Sequence, residues 1–438
     1  MVVSDRQPAE ALVKERQTLQ GLDVRYELGG HPLAMLEGAS LLHLSGGVPG
    51  DLPIVQAARA RGVRITNDSQ LFLEISPARV VGITGSAGKT TTTSLVGDMA
   101  RAAAEHGEIR HAWVGGNIGN PLLNEAAEMQ AGDVAVMELS SFQLEVMTRS
   151  PQVAAVLNLS PNHLDRHATM DAYRAAKVRI LDFQRSEDAA ILGWDSSETR
   201  TMASRVRGRL SYFSIDSPWQ PAWGDSAHLA DGWISVSRDG EHARVVPVGE
   251  VALRGRHNLA NAVAACAIGV AAGFSNEVMA SAIRAFRGVP HRLELVIRRE
   301  GVDWYNDSIA TAPERAIAAM RSFEEPIVLL AGGRDKKLPW DEWAQVVRTR
   351  VEHLVLFGEA APLIRRALGD VPAGSRPRTV SAFAELAQAV AFAARLAKPG
   401  QVVLLAPGGT SFDQYRDFEE RGEHFRSLVR ELPGRGSR

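Results

Sequence analysis

Residues 82–91 read GITGSAGKTT, a short apolar run followed by a glycine-rich turn that leads into Lys89 and Thr90. Such a strand-to-helix turn lets backbone N–H groups converge on phosphate oxygens, and the N-terminus of the next helix favours a negative charge. In loops of this type the lysine contacts the β- and γ-phosphates of a nucleotide and the hydroxyl residue holds Mg²⁺. The general spacing requires a glycine where Ile83 stands, so this is a variant loop. We predict a phosphate-binding loop here, and a glycine turn without a ligand is the alternative.

Short apolar runs that alternate with helical stretches extend on both sides of this loop. Before it, residues 40–45 and 63–66 indicate strands and residues 53–60 indicate a helix. The strands predicted from residue 78 onward are 78–84, 133–138, 153–158, 189–192, 327–330, 353–357 and 402–405. This alternation predicts an α/β protein with parallel sheets.

A chain of 438 residues is too long for one ordinary core and suits several domains. We place the first domain at residues 1–78, a central domain with the phosphate loop at 79–287, and a second doubly wound domain at 288–438. Residues 205–250 have more β character, with tryptophan, serine and glycine, and predict a small antiparallel insertion. An alanine-rich helix is predicted from residue 258 to about 272.

The composition is that of a folded globular protein, with 45% hydrophobic and 23% charged residues. The net charge of -2 argues against bulk attraction to nucleic acid or an anionic membrane. No apolar run approaches the ~20 residues that span a bilayer, and the first residues lack the pattern of a secretion signal. We therefore expect a cytoplasmic protein with no nucleic-acid or membrane partner. We also expect a monomer, although no pattern in the sequence reports the oligomeric state. The one cysteine, Cys266, lies in an apolar run and is predicted to be a small core residue.

Lysine is rare among the basic residues of this chain. Of 49 lysines and arginines, six are lysine: Lys14, Lys89, Lys177, Lys336, Lys337 and Lys398. Because a primary amine and a guanidinium are not chemically interchangeable, a lysine that persists has a raised chance of serving chemistry. Lys14 and Lys398 are predicted to be surface residues of helices.

Motifs along nearly the whole chain resemble those of the Mur ligases, the ATP-dependent amide-forming enzymes of peptidoglycan precursor synthesis. The variant phosphate loop is the first of them. The others, in the family's order, are GGNIG at 115–119, ELSSFQLE at 138–145, NLSPNHLDRH at 158–167, YRAAK at 173–177, GRHNLAN at 255–261, PHRLE at 290–294, NDS at 306–308 and DQYRDFE at 413–419. Within the family, residues 140–145 and 417–422 look most like the glutamate-adding member.

The resemblance implies three domains: a Rossmann-like N-terminal domain that binds UDP, a central P-loop ATPase-type domain, and a Rossmann-like C-terminal domain that binds the amino acid. It implies that ATP phosphorylates the carboxylate of UDP-N-acetylmuramoyl-L-alanine, and that the amino group of D-glutamate then attacks the acyl phosphate. The N-terminal domain is expected to lack its first βα unit, because the chain opens directly on the strand end at residues 2–5. We explain this by a start further upstream or by a shortened form with weaker UDP binding.

The resemblance also implies roles residue by residue. The ATP-binding set is Gly85, Ser86, Ala87, Gly88, Lys89, Thr90, Thr91, Asn258, Asn261, Arg292 and Asp307. The set for two Mg²⁺ ions is Thr90, Glu138, His163 and a carbamylated Lys177, and the catalytic set is Lys89, His163 and Lys177. The UDP-muramoyl-alanine set is Asp5, Asn117, Ser140, Gln143 and His163. The glutamate set is Thr311, Lys336, Ser411 and Phe418.

Taken alone, several of these residues have a plainer interpretation. Lys177 and Arg292 would be surface residues, and Phe418 would belong to the core. Asn258 and Asn261 would mark a polar helix start. In favour of the metal role, carbamylation turns an amine into a carboxylate-like ligand, which an arginine in its place could not become.

Two stretches near the amino-acid site depart from the usual glutamate ligase pattern. Ile309 stands where that pattern has lysine, Ala312 stands where it has asparagine, and residues 407–411 replace an alanine- and cysteine-rich version. A related ligase type that adds L-glutamate also varies here, so L-glutamate is the alternative to D-glutamate. A folylpolyglutamate synthase-like ligase and a non-catalytic ATP-binding protein are further alternatives, which residues 115–117 and the retained Lys177 disfavour.

Overall fold

The computed structural model describes residues 1–46, 48–117, 121–160, 167 and 169–432. By contact density the chain divides into two units, Met1–Val248 with Ala260–Ile283, and Gly249–Leu259 with Arg284–Arg438. The first unit includes residues 1–78 and most of the predicted central domain, whose residues 249–259 and 284–287 belong to the second unit. The predicted boundary at residue 78 stays a prediction.

The elements are numbered in chain order. The strands are β1 Val2–Asp5, β2 Arg25–Leu28, β3 Leu41–His43, β4 Arg64–Thr66, β5 Arg79–Thr84, β6 Ala112–Gly116, β7 Val134–Glu138, β8 Val153–Val156, β9 Ala189–Gly193, β10 Arg209–Ser214, β11 Ser226–Ala230, β12 Trp233–Arg238, β13 Glu241–Pro247, β14 Glu294–Arg299, β15 Val302–Asn306, β16 Ile327–Gly332, β17 Val351–Phe357, β18 Thr379–Phe383 and β19 Val402–Gly408. The α-helices are α1 Val13–Thr18, α2 Pro53–Ala60, α3 Asp68–Ile75, α4 Lys89–Glu105, α5 Ser141–Leu144, α6 Met170–Asp182, α7 Ser197–Thr201, α8 Arg256–Ala272, α9 Asn276–Ala285, α10 Pro313–Met320, α11 Asp341–Arg350, α12 Ala361–Leu368, α13 Leu386–Leu396 and α14 Phe418–Glu431.

Over the described residues, a nine-stranded sheet is the frame of the first unit, in the order β13-β12-β11-β10-β9-β8-β5-β7-β6. Every neighbouring pair from β6 across to β11 is parallel. β5 and β7 are buried along nearly their whole length, as parallel strands covered on both faces are, and this explains their continuous apolar runs. Because β5 lies between β7 and β8, the ends of both neighbours flank the phosphate loop.

The stretch 205–250 has the predicted β structure, but its antiparallel part is limited to three strands that belong to the nine-stranded sheet. β10 and β11 continue the parallel sheet beyond β9, and only the β11–β12 and β12–β13 pairs are antiparallel. Residues 211–214 of β10 are buried. Serine occupies both ends of this buried run, which hid a core strand from an interpretation based on apolar residues.

The N-terminal segment forms two separate pairs of parallel strands, β1–β2 and β3–β4. Parallel pairing is expected of a Rossmann-like domain, but here the two pairs do not join into one sheet. No residue of 1–32 is buried. A small core does form around β3, α2 and β4, where Val55 and Ala58 are fully buried.

The second unit contains, over the described residues, a six-stranded sheet in the order β14-β15-β19-β16-β17-β18. All its pairs are parallel except β14–β15. This unit has apolar clusters of buried residues. One includes Trp343 and Met320, and another includes Phe425 and Val390. The predicted doubly wound C-terminal fold is confirmed.

Two further expectations concern the position of Cys266 and the presence of membrane-spanning helices. Cys266 is fully buried in α8, and burial raises the pKa of its thiol to about 12, so its predicted core role is confirmed. Within the described part of the chain, we find no helix that combines the length and the apolar character needed to cross a membrane.

Candidate active site

The phosphate loop lies between the end of β5 and the start of α4. Gly88 is the N-cap residue of α4 and has a φ of 82°, in the left-handed region that favours glycine. A Cβ atom at Gly88 would collide with the side-chain oxygen of Asn261. Lys89 Nζ donates a hydrogen bond to Gly85 O at 2.8 Å, which folds the amine back over the loop. The structure thus brings Asn261 and Lys89, both predicted to bind ATP, to one loop.

Hydrogen bonds to neighbouring strand ends hold the loop. Ala87 N donates to Asn158 Oδ1 at 2.9 Å, and Asn158 Nδ2 donates to Ala87 O at 3.0 Å. Ser86 Oγ donates to Ser160 O at 3.0 Å and lies 3.1 Å from the hydroxyl of Tyr173. The loop backbone is therefore fixed by the protein itself, which lowers the ordering cost of binding a phosphate group.

Glu138 is the last residue of β7 and is buried beside the loop, opposite Ile83 of β5. Its Oε1 accepts a hydrogen bond from Asn117 Nδ2 at 2.9 Å. Among the described residues, its Oε2 has no hydrogen-bond partner. A buried carboxylate oxygen without a partner is costly, and it is the kind of ligand that Mg²⁺ takes. Thr90, in the first turn of α4, would provide a second oxygen ligand.

Lys177 is a buried amine, not the surface lysine that its local sequence suggests. It lies on α6, and its Nζ donates to Gly85 O at 3.0 Å and to Thr84 Oγ1 at 3.2 Å. Burial lowers the pKa of this amine to about 6; the charge of Lys89 lowers it further and that of Glu138 opposes the decrease. The amine is therefore mostly uncharged at neutral pH, which is the nucleophilic form.

A cleft of about 220 Å³ lies beside the loop within the first unit. Asn158 and Asn261 line it together with Asp195, Phe213 and Ile215. Asp195 and Ile215 follow β9 and β10, at the same carboxyl edge of the sheet as the loop, where nucleotides bind in such folds. Asp195 and Phe213 were not among the residues predicted to bind ATP. The available signal was their position at strand ends, but the place of β9 and β10 in the sheet was not predicted.

Ser140 and Gln143 are both predicted to contact the muramoyl substrate. They form a capping box at the N-terminus of α5, in which each side chain accepts a hydrogen bond from the main-chain N–H of the other. Ser140 N donates to Gln143 Oε1 at 2.8 Å, and Gln143 N donates to Ser140 Oγ at 3.3 Å. Gln143 Nε2 also donates to Ser69 Oγ at 3.1 Å. Asn117 lies directly after β6 and reaches Glu138, as described above. Asp5 ends β1, and among the described residues no hydrogen bond joins it to another predicted site residue.

His163 lies outside the described residues, so its part in the metal site stays a prediction. His167, from the same motif, is buried. Its Nε2 lies 2.9 Å from Ser141 Oγ, and its ring stacks on Phe142 with 5.2 Å between centroids. His167 therefore packs against α5, which Ser140 and Gln143 cap.

In the second unit, three strand ends at one edge of the sheet carry residues predicted to bind glutamate. Thr311 follows β15, Lys336 follows β16 and Ser411 follows β19. Lys336 Nζ donates to Thr311 Oγ1 at 3.1 Å, so the structure brings these two together. Asp335 Oδ2 accepts a hydrogen bond from Lys337 N at 3.0 Å, which fixes the loop that carries the amine.

The departures at Ile309 and Ala312 lie next to this pair. Ala312 is the N-cap residue of α10 and makes no side-chain capping bond. Arg315 Nη1 lies 3.5 Å from Ile309 O, so this arginine places a cation near the position where the usual pattern has a lysine. Burial lowers the pKa of Lys336, and the charge of Arg315 lowers it further. Cations gathered in this way favour an anionic ligand.

Ser411 and Phe418 lie along one segment between β19 and the start of α14. Ser411 is buried, and its main-chain oxygen accepts hydrogen bonds from the turn that follows. Phe418 is partly exposed, contrary to the core position that its local sequence suggests. Its main-chain oxygen accepts a hydrogen bond from Ser308 Oγ at 2.8 Å.

Arg292 lies between two residues with left-handed backbone, His291 with a φ of 63° and Leu293 with a φ of 43°. Such strain persists where the surrounding structure enforces it, and it occurs often at functional sites. Leu293 N donates to Asp307 Oδ1 at 3.0 Å. Burial raises the pKa of Asp307 to about 6, while this hydrogen bond and the charge of Arg292 oppose the increase. Asn258, also in the second unit, donates to a main-chain oxygen.

Two family models match the chain: the Mur ligase middle domain over residues 83–269 and the Mur ligase glutamate ligase domain over residues 291–409. The UDP-N-acetylmuramoylalanine--D-glutamate ligase of Symbiobacterium thermophilum is 42% identical over 428 residues, which cover 98% of this chain and 92% of that relative. The chain belongs to the Mur ligase family. The family and the fold predicted from the motifs are therefore confirmed.

Further relatives and solved structures agree with this membership. A ligase of the same name from Acetivibrio thermocellus is 40% identical over 427 residues, covering 96% of this Mur ligase and 89% of the relative. The structure of a UDP-N-acetylmuramoyl-L-alanyl-D-glutamate--2,6-diaminopimelate ligase superposes with a TM-score of 0.59 at 19% identity, over 89% of this chain and 92% of that one. The structure of the UDP-N-acetylmuramate-alanine ligase of Thermotoga maritima superposes with a TM-score of 0.58 at 17% identity. The match covers 98% of this chain and 93% of that one. At these identities the structures share the fold alone.

Proposed function

We propose that this Mur ligase uses ATP to join D-glutamate to UDP-N-acetylmuramoyl-L-alanine in peptidoglycan precursor synthesis. The observation that carries the proposal is the convergence of Lys89, Glu138 and Lys177 at the carboxyl end of β5. ATP and its Mg²⁺ account for Lys89 and Glu138, but ATP binding alone does not require a buried lysine such as Lys177. The choice of substrates follows the relatives that carry the D-glutamate ligase name over nearly the whole chain.

The proposed reaction has two steps. First, a carboxylate oxygen of the alanine attacks the γ-phosphorus of ATP, and ADP leaves with the electrons of the broken bond. Then the amino nitrogen of glutamate, after losing a proton, attacks the acyl carbon, and inorganic phosphate leaves. Phosphoryl transfer needs positioning and charge neutralisation rather than a protein nucleophile. Lys89 and the N–H groups of the loop supply both at the phosphates.

We assign Mg²⁺ to the side of the loop where Thr90 and Glu138 present oxygen atoms. The unpartnered Oε2 of Glu138 fits this role. When bound, the ion neutralises phosphate charge and so lowers the repulsion that an incoming carboxylate meets. We assign a second ion to His163 and a carbamylated Lys177, which would hold it with a ring nitrogen and carbamate oxygen atoms.

Carbamylation suits the surroundings of Lys177. The neutral amine attacks the carbon of CO₂ and loses a proton, so that the side chain ends in a carboxylate. Burial favours the neutral amine that this step needs, since it lowers the pKa to about 6. Without the added carboxylate, the side chain offers no oxygen atom to a hard cation.

The substrates divide between the two units. We assign the adenine base to the cleft lined by Phe213 and Asn261, and the muramoyl-alanine end to the region of Asn117. We assign the carboxylates of glutamate to Lys336 and Ser411, because an ammonium and a hydroxyl both donate hydrogen bonds to carboxylate oxygens. We place the reaction in the cytoplasm and expect a monomer.

L-Glutamate is the second candidate for the amino acid, because the departures at Ile309 and Ala312 lie beside Lys336. The test supplies each enantiomer with ATP and UDP-N-acetylmuramoyl-L-alanine and measures phosphate release. We expect faster release with D-glutamate. Faster release with L-glutamate would overturn the stereochemical assignment, and release that neither enantiomer stimulates would overturn the ligase proposal.

A further inference from the structure

Arg421 is a fully buried arginine in the second turn of α14. Its Nε donates a hydrogen bond to Ser308 Oγ at 2.9 Å, and Nη2 donates to Ser308 O at 2.8 Å. Nη1 donates to Gly409 O at 3.2 Å and to Thr410 O at 3.0 Å. One side chain therefore ties the segment after β15 to the segment after β19, next to Ser411.

The segment after β16 is joined to this arrangement through Thr410, which accepts a hydrogen bond from Arg421. Thr410 N donates to Arg334 O at 2.8 Å, and Arg334 N donates to Thr410 O at 2.9 Å. A Cβ atom at Gly333 would come within 2.9 Å of Arg421 Nη1, so the segment after β16 packs directly on the guanidinium. The residues predicted to bind glutamate on these segments are Thr311, Lys336, Ser411 and Phe418. All four thus belong to segments that form hydrogen bonds with Arg421 or with its direct hydrogen-bond partners.

The guanidinium of Arg421 is paired with neutral oxygen atoms, and Asp413 acts on its charge without a direct ion pair. Among the described residues it forms no ion pair, and its hydrogen-bond acceptors are carbonyl and hydroxyl oxygens. Burial lowers the pKa of its guanidinium to about 10, and Asp413 and Tyr415 oppose the decrease. A buried cation without a directly paired counter-ion is costly. An anionic ligand bound next to these segments would reduce that cost.

We propose that Arg421 is a positioning residue for the glutamate pocket, which holds three strand-end segments together and keeps a positive charge behind them for a dicarboxylate. The proposal rests on the proposed function. An arginine that only supports the fold would affect all substrates and stability alike. A positioning residue affects the Michaelis constant (KM) of glutamate selectively.

The test compares Arg421→Met and Arg421→Lys with Arg430→Met, an exposed arginine on the same helix as matched control. Each protein is assayed for the KM values of D-glutamate and ATP, and thermal unfolding checks the fold. We expect Arg421→Met to raise the KM of D-glutamate by about 10- to 100-fold and that of ATP by less than about twofold, from the usual strength of hydrogen bonds to charged groups. Arg421→Lys keeps the charge but loses the planar fork, so an intermediate KM is expected. Arg430→Met should match the unsubstituted protein.

A folded Arg421→Met protein with an unchanged KM for D-glutamate overturns the proposal, and so do equal increases in both KM values. If Arg421→Met does not fold, Ser308→Ala decides, because it removes the hydroxyl between Arg421 and Phe418. A raised KM for D-glutamate alone supports the proposal there, and an unchanged one overturns it. If the unsubstituted protein shows no D-glutamate-dependent turnover, the proposed function itself fails, and this inference fails with it.

Discussion

At the residue scale, the burial of Lys177 determines its chemistry. Burial lowers the pKa of the amine from an ordinary 10.5 to about 6. At pH values between these two pKa values, the Lys177 amine binds more protons in the unfolded chain than in the folded chain. The contribution of Lys177 to the free energy of unfolding therefore rises with pH across that window, and the full penalty of burying a charged amine applies below about pH 6.

Carbamylation should follow the same titration. With ¹³C-labelled bicarbonate, we expect a carbamate signal in NMR spectra above about pH 6 that disappears at lower pH, as the amine becomes protonated. Lys177→Met should show no signal, and the exposed Lys398→Met should match the unsubstituted protein. A signal that persists in Lys177→Met would contradict the assignment of the modified residue.

The role of Lys177 in the reaction is tested by the same substitution. We expect Lys177→Met to reduce ligation by at least about 1,000-fold, because the proposed second metal ion would lose a ligand. Binding of a non-hydrolysable ATP analogue, measured by calorimetry, should change by less than about threefold, since Lys89 and the loop remain. Full ligation activity in Lys177→Met would discredit the metal-bridge role.

Lys336 and Lys337 form a matched pair for testing the glutamate pocket. Both side chains are exposed, but Lys336 Nζ lies 3.1 Å from Thr311 Oγ1, whereas among the described residues no hydrogen bond joins the Lys337 side chain to a residue predicted to bind glutamate. We expect Lys336→Met to raise the KM of D-glutamate by about 10- to 100-fold, because a charge-assisted hydrogen bond to a carboxylate is lost. Lys337→Met should leave that KM unchanged in the same assay. Equal effects of the two substitutions would argue against a specific contact.

At the element scale, the turn between β5 and α4 depends on Gly88. Gly88 and Gly107 have similar φ values, 82° and 76°, but only Gly88 faces Asn261, while a Cβ at Gly107 would meet open space. Both alanine substitutions introduce the same backbone strain, of order 1 kcal/mol. We expect Gly88→Ala to weaken ATP binding by more than about 10-fold in calorimetry, because the clash adds to the strain, and Gly107→Ala to leave ATP binding unchanged. Similar ATP affinities for both variants would contradict this account.

The strand pair β1–β2 contrasts with the central sheet. No residue of 1–32 is buried, whereas β5 is buried along nearly its whole length. Amides of β1 and β2 should therefore exchange with solvent far faster than those of β5, because opening them exposes little apolar surface. Hydrogen-exchange mass spectrometry measures both. Equal protection of β1 and β5 would show that the first strands are stabilised by contacts other than those described here.

At the scale of the whole molecule, the elements that were predictable are those whose own residues carry the signal. β5, β16 and β19 are continuous apolar runs between turns, and α2 spans the predicted residues 53–60. The phosphate loop was recognisable because its glycines and Lys89 serve a local backbone conformation.

Features that depend on distant contacts could not be predicted in this way. Lys177 is buried where its amine contacts Thr84, which lies 93 positions away in the sequence. Asp195 and Phe213 gain their position from the order of β8, β9 and β10 in the sheet. The separation of β1–β2 from β3–β4 likewise reflects which strands find partners, and no local pattern reports it.

In the proposed reaction, the chain activates the alanine carboxylate of UDP-N-acetylmuramoyl-L-alanine as an acyl phosphate for attack by D-glutamate. The most direct test labels that carboxylate with ¹⁸O, adds ATP and D-glutamate, and analyses the released phosphate and the amide product by mass spectrometry. We expect one ¹⁸O atom in the phosphate for each amide bond formed, because the oxygen that attacks the γ-phosphorus leaves with it. Amide formation with unlabelled phosphate, or labelled phosphate formed without D-glutamate in the product, would contradict the proposed reaction.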